Sequence, residues 1–228
     1  MNTIRIGSKG NEVKTLQQKL KISADGIFGK NTDAAVRAFQ KAHGLTPDGI
    51  VGPHTWEYLG FAPQSRYIDE IIIHCTATKE GKACSADQIN AAHKVRRFST
   101  YKDAKGRTRY IGYHFLIHPD GTIEECRPIS KIGCHASGHN TRSIGISYVG
   151  GLDARDTDGR MIKDTRTPQQ KASLIKLIKK LKSEYPTINK VIGHRDTSPD
   201  LNGNGIIEPY EFIKGCPCFD AIPEYKDL

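Results

Sequence analysis

Two different patterns of apolar and polar positions divide the chain. Over the first 60 residues the apolar positions recur at helical spacing, first at Val13, Leu16 and Leu20 and then at Val36 and Phe39. A third short run begins at a proline and contains the single tryptophan of the chain. The pattern therefore predicts a small domain of three helices.

From residue 67 onward, short apolar runs of strand length alternate with longer amphipathic segments. Strands are predicted over residues 68–74, 110–117, 122–126, 144–149 and 190–193. One helix is predicted over residues 86–98, and a second begins with a capping box formed by Thr167 and Gln170. The apolar positions of this second helix are Leu174, Ile175, Ile178, Leu181 and Tyr185. Strands separated by helices predict an α/β domain in which helices flank a mixed central sheet.

The segment between these regions has neither periodicity. Residues 62–66 contain Pro63 and polar side chains, which are typical of a short linker. We therefore expect one domain over residues 1–61 and a second over residues 67–228. A chain of 228 residues is long enough for two domains.

The composition limits where the protein is expected to be made and whether it enters a membrane. No apolar run reaches the roughly 18 residues that a transmembrane helix needs, so we expect no membrane insertion. The first residues lack the apolar core of a secretory signal, which predicts synthesis in the cytoplasm without a signal peptide. Six unevenly spaced cysteines in a chain of this length favour metal-binding or free thiols over a disulfide scaffold.

The net charge of +9 indicates attraction to a polyanionic partner or surface. The densest basic stretch, residues 94–109, contains interleaved aromatic residues, as some nucleic-acid-binding segments do. No nucleic-acid-binding motif accompanies it, so a solvated loop is the preferred interpretation and we expect no nucleic acid partner. The excess charge is spread over both predicted domains, which suits general attraction to an anionic surface better than a dedicated nucleic-acid groove.

An internal repeat organises the first domain. The segment Asp25-Gly26-Ile27-Phe28-Gly29 recurs 23 residues later as Asp48-Gly49-Ile50-Val51-Gly52. In each copy the Asp-Gly pair predicts a turn, and the second glycine precedes a helix. Together with the helical positions around it, this string resembles the small peptidoglycan-binding domain that is attached to many cell-wall hydrolases. The resemblance implies that peptidoglycan is a partner.

Three metal-capable side chains follow or lie near strand ends in the second domain. His74 closes one apolar run, His194 follows another, and Cys216 lies in a Cys-Pro-Cys segment. Imidazole nitrogen and thiolate sulfur are suitable zinc ligands, and catalytic zinc sites use three protein ligands. A histidine at the end of a strand is more often a structural residue. Taken alone, these residues favour a structural role and leave a zinc site as the alternative.

Six short motifs follow one another along the second domain. They are His74-Cys75-Thr76-Ala77-Thr78, Gly112-Tyr113-His114-Phe115, Gly133-Cys134-His135-Ala136-Ser137-Gly138, Ser143-Ile144-Gly145, Gly193-His194 and Lys214-Gly215-Cys216-Pro217-Cys218-Phe219. In their content and order they resemble zinc-dependent N-acetylmuramoyl-L-alanine amidases of the phage-lysozyme-like type, which share a fold with peptidoglycan recognition proteins. The resemblance spans roughly residues 66 to 222.

The resemblance implies specific roles for individual residues. His74, His194 and Cys216 correspond to the zinc ligands, and Tyr113 and Lys214 to the two catalytic residues that do not bind the metal. Such a metal lowers the pKa of its bound water, Lys214 would stabilise a developing oxyanion, and Tyr113 would orient the water or the carbonyl. Thr76 and His135 correspond to residues of the substrate-binding cleft.

Neighbouring residues have competing interpretations. His114 follows Tyr113 on a predicted strand and should point to the opposite face, which favours a structural role. Cys75 should face away from His74 for the same reason. Cys218 is an alternative thiolate ligand, and the Lys-x-Cys-Pro pattern favours Cys216 instead.

Residues 200–211 fit the pattern of a twelve-residue calcium loop. The ligands would be Asp200, Asn202, Asn204, the carbonyl of Ile206 and Glu211, with Gly205 at the sharp turn. Two asparagines lower the charge of the loop, and Ser198-Pro199 replaces the usual preceding helix. The alternative is a turn-rich loop that holds no ion. If calcium binds, it would order the connection between His194 and Lys214.

These observations lead to one expected function and to two alternatives. We expect a zinc-dependent, monomeric enzyme that cleaves the amide between N-acetylmuramic acid and L-alanine for bacterial cell-wall lysis. A wall-binding domain without a signal peptide favours a phage endolysin that reaches the wall after release, and a bacterial or prophage autolysin stays open as an origin. The alternatives are a cytosolic muropeptide-recycling amidase and a non-catalytic peptidoglycan receptor, which would be expected to lack the cysteine ligand.

Overall fold

The chain folds into two compact units, Met1–Ser65 and Arg66–Leu228. The computed structural model describes residues 3–60, 66–103 and 105–228. Of the predicted linker 62–66, residues 62–65 lie outside the described part of the chain.

The N-terminal unit contains the helices α1 (Asn11–Lys19), α2 (Lys30–Ala42) and α3 (Pro53–Tyr58). Its buried apolar side chains come from all three helices and from the segments before, between and after them. They are Ile4, Val13, Leu16, Phe28, Val36, Val51, Trp56 and Leu59. Leu20 and Phe39, which the helical pattern also selected, pack at the edge of this core.

The sequence repeat corresponds to a repeated hydrogen-bond network. The buried amide of Gln17 donates to Asp25 Oδ1 (2.7 Å) and Thr32 Oγ1 (3.0 Å), and its oxygen accepts from Gly26 N (2.8 Å). Gly26 has a φ of 78°, a conformation that favours glycine. The second copy forms the same bonds with Gln40, Asp48, Gly49 and Thr55. Each copy is therefore a turn that a buried glutamine holds against the preceding helix.

The C-terminal unit is built on a five-stranded sheet. Its strands are β1 (Glu70–Cys75), β5 (Phe115–Ile117), β6 (Ile123–Glu125), β7 (Ser143–Tyr148) and β9 (Lys190–Gly193), in the order β6-β5-β7-β1-β9. Only the β5–β6 pair is antiparallel among these neighbours. Two two-stranded pairs lie apart from it, β2 (Thr78–Lys79) with β8 (Gly151–Leu152) and β3 (Tyr101–Lys102) with β4 (Thr108–Arg109). A mixed sheet with helices is the predicted α/β class.

The helices of this unit are α4 (Ala86–Val95), α5 (Pro168–Glu184) and α6 (Ala221–Tyr225). Short 3-10 turns cover His194–Thr197 and Pro209–Glu211. Strands β1, β5 and β7 are buried along their whole lengths. The main core lies between this sheet, α5 and α6, and includes Ile71, Ile73, Ile146, Leu174 and Ile178.

Two boundaries differ from the predictions. The strand predicted over 110–117 is reduced to Phe115–Ile117, because side chains of α4 take the amides of the preceding residues. Tyr110 N donates to Asn90 Oδ1 (2.7 Å) and Gly112 N donates to His93 Nδ1 (3.1 Å). Helix α4 ends at Val95 rather than at residue 98, and Arg97 adopts a left-handed conformation with a φ of 57°.

Helix α5 begins as predicted, with one correction to its buried face. Thr167 caps the helix and Gln170 completes the capping box. Ile175, which was expected to face the core, is 38% exposed, while Leu177 is 3% exposed. The buried apolar positions of this 17-residue helix are thus 174, 177, 178 and 181, which form a narrower stripe toward the sheet.

None of the helices in the described ranges is long and apolar enough to cross a membrane.

Candidate metal centre

Parallel pairing brings two of the predicted ligands to one edge of the sheet. Strands β1 and β9 pair in parallel with Ile73 opposite Gly193, so the next residues, His74 and His194, lie side by side at the carboxyl ends. Their ring centroids are 4.5 Å apart. The register of the sheet therefore joins residues that are 120 positions apart in the sequence.

Backbone contacts bring Cys216 to the same place. Arg195 N donates to Cys216 O (2.7 Å), and Cys75 N donates to Cys216 Sγ (3.2 Å). Cys216 Sγ lies 3.9 Å from His74 Nδ1. The ligand atoms of His74, His194 and Cys216 all lie within 4.8 Å of one another. Within the described residues no other group of three histidine, cysteine or acidic side chains meets this distance.

The donor set and its protonation fit zinc. In a tetrahedral zinc site, a nitrogen ligand atom and a sulfur ligand atom lie about 3.5 Å from each other. Burial lowers the pKa of His74 well below its usual range, and the neighbouring His135 and His194 lower it further. Burial also lowers the pKa of His194 to about 4, with Lys214 and Arg96 adding to the effect. Both imidazoles are neutral at pH 7, as metal ligation requires.

The other two nearby thiols make different contacts. Cys75 Sγ lies 3.7 Å from Cys218 Sγ, and Cys218 Sγ contacts Gly151 O at 3.2 Å. Contact with Cys216 and burial raise the pKa of Cys75 to about 12. Contact with Cys75 raises the pKa of Cys218. Cys75 and Cys218 thus face each other as neutral thiols, outside the group of three ligand atoms.

Tyr113 and Lys214 approach the centre in different ways. The Tyr113 ring lies 5.1 Å from the His74 ring and 5.2 Å from the His93 ring. Burial raises the pKa of Tyr113, so its hydroxyl keeps its proton at neutral pH. Lys214 is exposed, and its charge contributes to the low pKa of both His74 and His194.

Two parts of the chain match known protein families. Residues 64–204 match the N-acetylmuramoyl-L-alanine amidase family, and residues 9–59 match a peptidoglycan-binding domain family. The chain belongs to the N-acetylmuramoyl-L-alanine amidase family. The matched range ends before Lys214 and Cys216, so the position of these two residues rests on the structure.

Two phage endolysins and one solved structure are similar to the chain. The endolysin of Escherichia phage T7 is 31% identical over 69% of this amidase and 85% of its own length. The endolysin of Enterobacteria phage K11 is 30% identical over 66% of the amidase and 81% of its own length. Among solved structures, the N-acetylmuramoyl-L-alanine amidase LysC from Clostridium intestinale URNW is 31% identical, with a TM-score of 0.46. The match covers 64% of this amidase and 83% of LysC.

A groove of about 450 Å³ lies beside the metal centre of the amidase. Its lining includes Arg96, Phe98, Asn140, His194 and Lys214, and no aspartate or glutamate lines it within the described residues. The Arg96 guanidinium stacks on the Phe98 ring at 4.7 Å from the ring centroid. Sequence reasoning placed Arg96 only in a basic loop, because no local motif indicates that this loop reaches the groove.

The two residues predicted to bind substrate occupy different positions. Thr76 Oγ1 contacts Thr78 Oγ1 (2.7 Å) and accepts from Gly150 N (3.1 Å), and Thr76 is not among the residues that line the groove. His135 lines the groove but is only 8% exposed, and its Nδ1 lies 3.1 Å from His74 Nε2. His114 is fully buried, and its Nδ1 accepts from Gly145 N (3.0 Å).

The predicted calcium loop is closed by its own hydrogen bonds. The two carboxylate oxygens of Asp200 accept from Gly203 N and Gly205 N (both 2.7 Å). Asn202 Oδ1 and Asn204 Oδ1 each accept from the amide two residues later, the latter from Ile206 N. Glu211 is 3% exposed and accepts from three backbone amides of the loop. Calcium binding by residues 200–211 stays a prediction.

Proposed function

We propose that this amidase is zinc-dependent and cleaves the amide between the lactyl group of N-acetylmuramic acid and L-alanine, for lysis of the bacterial cell wall. The observation that carries the proposal is the convergence of His74, His194 and Cys216 at the sheet edge. A peptidoglycan receptor without catalysis would not need a complete set of three zinc ligands.

The residues around the three proposed ligands favour metal binding. Zinc, when bound, would polarise the scissile carbonyl and lower the pKa of a bound water. Burial keeps His74 and His194 neutral, so their nitrogen lone pairs are free to ligate. The amide of Cys75 donates to Cys216 Sγ, a hydrogen bond that holds the sulfur beside His74.

Two further residues would act on the substrate. Lys214 carries a positive charge at the groove, where it would stabilise negative charge on the carbonyl oxygen of the tetrahedral intermediate. Tyr113 keeps its proton and lies beside His74, which supports a role as a hydrogen-bond donor to the carbonyl or to the attacking water.

The groove suits an anionic stem peptide. Arg96 and Lys214 are cations in its lining, and no carboxylate among the described lining residues opposes them. Stem peptides carry free carboxylates, which a positive groove attracts. We therefore propose that the stem peptide occupies this groove with its first amide toward the metal centre.

The domain organisation supports action on the intact wall. We propose a three-helix peptidoglycan-binding domain over residues 1–61 and a zinc amidase domain over residues 67–228, acting as a monomer. The family match at residues 9–59 supports wall binding. The phage endolysins that share about 30% identity with the chain support a phage endolysin rather than a muropeptide-recycling enzyme.

Digestion of purified sacculi tests the reaction. The wild-type protein should release new L-alanine amino termini without new reducing sugar ends, identified by mass spectrometry. Cys216→Ser should abolish this activity because it removes one proposed ligand. Cys84→Ser is the matched control, since Cys84 lies outside the metal centre and its thiol contacts only the carbonyl of Ser85 among the bonds described. New reducing ends, or equal activity of the Cys216→Ser variant, would contradict the proposal.

Substrate size separates the lytic enzyme from the recycling alternative. A wall-lytic amidase with a peptidoglycan-binding domain should cleave intact sacculi faster than soluble muropeptides. Deletion of residues 1–61 should remove this preference while cleavage of soluble muropeptides persists. A preference of the full chain for small fragments would favour the recycling function.

A further inference from the structure

His135 lies behind the proposed ligand His74 rather than in open solvent. Its Nδ1 is 3.1 Å from His74 Nε2, and the two rings meet nearly edge to face, with centroids 5.0 Å apart. His74 is 1% exposed and His135 is 8% exposed, so water does not compete for this hydrogen bond. The opposite nitrogen of His74, Nδ1, faces Cys216 Sγ at 3.9 Å.

The direction of this hydrogen bond follows from the next group in line. Ser143 Oγ donates its single hydrogen to His139 O (2.8 Å), so at its 3.4 Å contact with His135 Nε2 the serine oxygen accepts. His135 therefore carries its proton on Nε2. Because a neutral imidazole has one N–H, His135 Nδ1 is an acceptor and His74 Nε2 is the donor.

The surrounding backbone is shaped to hold the His135 ring in this position. A Cβ atom at Gly145 would lie 2.6 Å from His135 Cδ2, and one at Gly133 would collide with the same atom. Asn140 Oδ1 accepts from the backbone amides of His135 (2.8 Å) and Ala136 (3.0 Å), which fixes the loop. Two glycines and an asparagine thus build a slot for one imidazole.

We propose that His135 is a positioning residue, whose Nδ1 holds His74 in the Nε2–H tautomer and so presents His74 Nδ1 to the metal. This assigns His135 a role in orienting a ligand, in place of the predicted contact with substrate. The inference rests on the proposed zinc dependence. Removal of a group that orients a ligand typically lowers metal affinity by about 10- to 100-fold.

The first test reads the tautomer directly. In the zinc-loaded full chain labelled with ¹⁵N-histidine, the NMR spectrum should show His74 protonated at Nε2 and metal-bound through Nδ1. Ring shifts that show a proton on His74 Nδ1 would overturn the inference. A wild-type protein that binds no zinc would instead refute the proposed function, before any question about His135 arises.

The second test separates hydrogen bonding from packing at His135. His135→Asn and His135→Leu have nearly the same shape, but only asparagine places an acceptor oxygen near the position of Nδ1. We expect His135→Leu to lose about 10- to 100-fold in zinc affinity, measured by chelator competition, and His135→Asn to recover most of it. The visible spectrum of the cobalt-substituted protein should change in the leucine variant and return toward the wild type in the asparagine variant.

Two further variants keep the test decisive. His118→Leu makes the same chemical change at a histidine that contacts Glu124 and should leave zinc affinity unchanged. Ser143→Ala removes the acceptor of His135 Nε2–H and should cause a smaller loss of affinity, which provides a test if His135→Leu does not fold. Wild-type affinity in folded His135→Leu, or equal losses in the asparagine and leucine variants, would overturn the role of His135 while zinc dependence stands.

Discussion

Cys216 and Cys218 are two residues apart, yet their thiols face different surroundings. Cys216 Sγ lies near His74 Nδ1 and accepts from the amide of Cys75, whereas Cys218 Sγ lies against Cys75 and Gly151. The sequence motif favoured Cys216 but left Cys218 open as an alternative. The backbone between them, which turns at Pro217 and at a positive φ of 74° at Cys218, separates the two thiols.

This contrast predicts that serine substitutions at Cys216 and Cys218 differ in their effect on zinc binding. Cys216→Ser should lower zinc affinity by more than about 100-fold, beyond the range that groups outside the ligand set produce. Cys218→Ser should keep zinc near the wild-type level, because its thiol does not reach the ligand group. Zinc content after dialysis measures both. Retention in Cys216→Ser and loss in Cys218→Ser would reverse the assignment.

Lys214 offers a residue-scale test of electrostatic catalysis. Lys214→Met keeps much of the aliphatic side chain but removes the charge, so kcat should fall by about 10²- to 10³-fold. Zinc content should stay unchanged, because Lys214 is not a ligand. Amidase kinetics and metal analysis on the same preparation check both statements. An unchanged kcat would exclude Lys214 from stabilising the oxyanion.

Two buried histidines that are not proposed ligands, His114 and His93, should lower the free energy of unfolding as the pH falls. Burial lowers the pKa of His114 to about 3 and that of His93 to about 4. Between pH 6.5 and these values the unfolded chain binds protons that the folded chain does not, so stability falls as pH falls through 6.5. From pH 6.5 to 5 each group contributes a loss of at most about 2 kcal/mol.

Urea unfolding of the metal-free protein at pH 7 and pH 5 measures this effect. The wild type should lose free energy of unfolding on acidification, and His114→Gln should lose about 1–2 kcal/mol less, because the titrating group is gone. His114→Gln will also be less stable at both pH values, since His114 accepts from Gly145 N. The same pH-dependent loss in both proteins would contradict the assignment to His114.

At the scale of elements, helix α5 shows how a local signal acquires a tertiary function. The capping box of Thr167 and Gln170 is readable from sequence and is present in the structure. Gln170 is also fully buried, and its amide donates to the carbonyls of Ile117 (3.1 Å) and Val149 (3.0 Å) at the ends of β5 and β7. One side chain thus starts the helix and ties it to two strands.

A comparison of two capping boxes tests this double role. Gln170→Ala should destabilise the amidase by about 2–3 kcal/mol, because the carbonyl of Val149 loses the donor described for it and the carbonyl of Ile117 keeps only the amide of Val149. Gln88→Ala removes the matching glutamine of α4, which is exposed and serves only its own helix, and should cost about 1 kcal/mol or less. Thermal unfolding measures both. Equal losses would show that the bonds to Ile117 and Val149 contribute little.

Prediction of the elements succeeded where the signal is local. Helix α5 and strand β9 (Lys190–Gly193) begin where capping chemistry and apolar runs place them. The prediction of a strand over residues 110–114 was wrong, because backbone amides of this segment donate to the side chains of Asn90 and His93 on helix α4. Ile175 was wrong as a core position, since a helix on a sheet buries a narrower face than the apolar pattern suggests.

At the scale of the whole molecule, tryptophan fluorescence reports on the unfolding of the N-terminal unit alone. The chain has a single tryptophan, Trp56, which is 1% exposed in the core of the N-terminal unit. Its fluorescence therefore follows unfolding of that unit, while the proposed zinc ligands all belong to the other.

Removal of zinc should separate the two transitions. Chelation should lower the stability of the amidase unit, by about 4 kcal/mol where free zinc had stood at 1,000 times its Kd. The tryptophan fluorescence transition should stay where it was, while the far-UV circular dichroism transition of the amidase unit moves. If both transitions shift together, the two units unfold as one cooperative body.

The sequence by itself determined what depends on neighbours along the chain. The division into a helical repeat and an α/β domain, the capping box of α5, and the motifs that identify an amidase family all lie in short segments. Periodicity and turn chemistry act over a few residues, so a single sequence carries them.

Only the tertiary structure decided what depends on contacts between distant segments. The parallel register of β1 and β9 sets His74 beside His194, and contacts with Arg195 and Cys75 bring Cys216 to them. The slot between Gly133 and Gly145 holds His135 beside His74, and the end of helix α4 places Arg96 at the groove. Ligand geometry, proton position and groove charge are properties of three-dimensional neighbours, and no spacing along the chain encodes them.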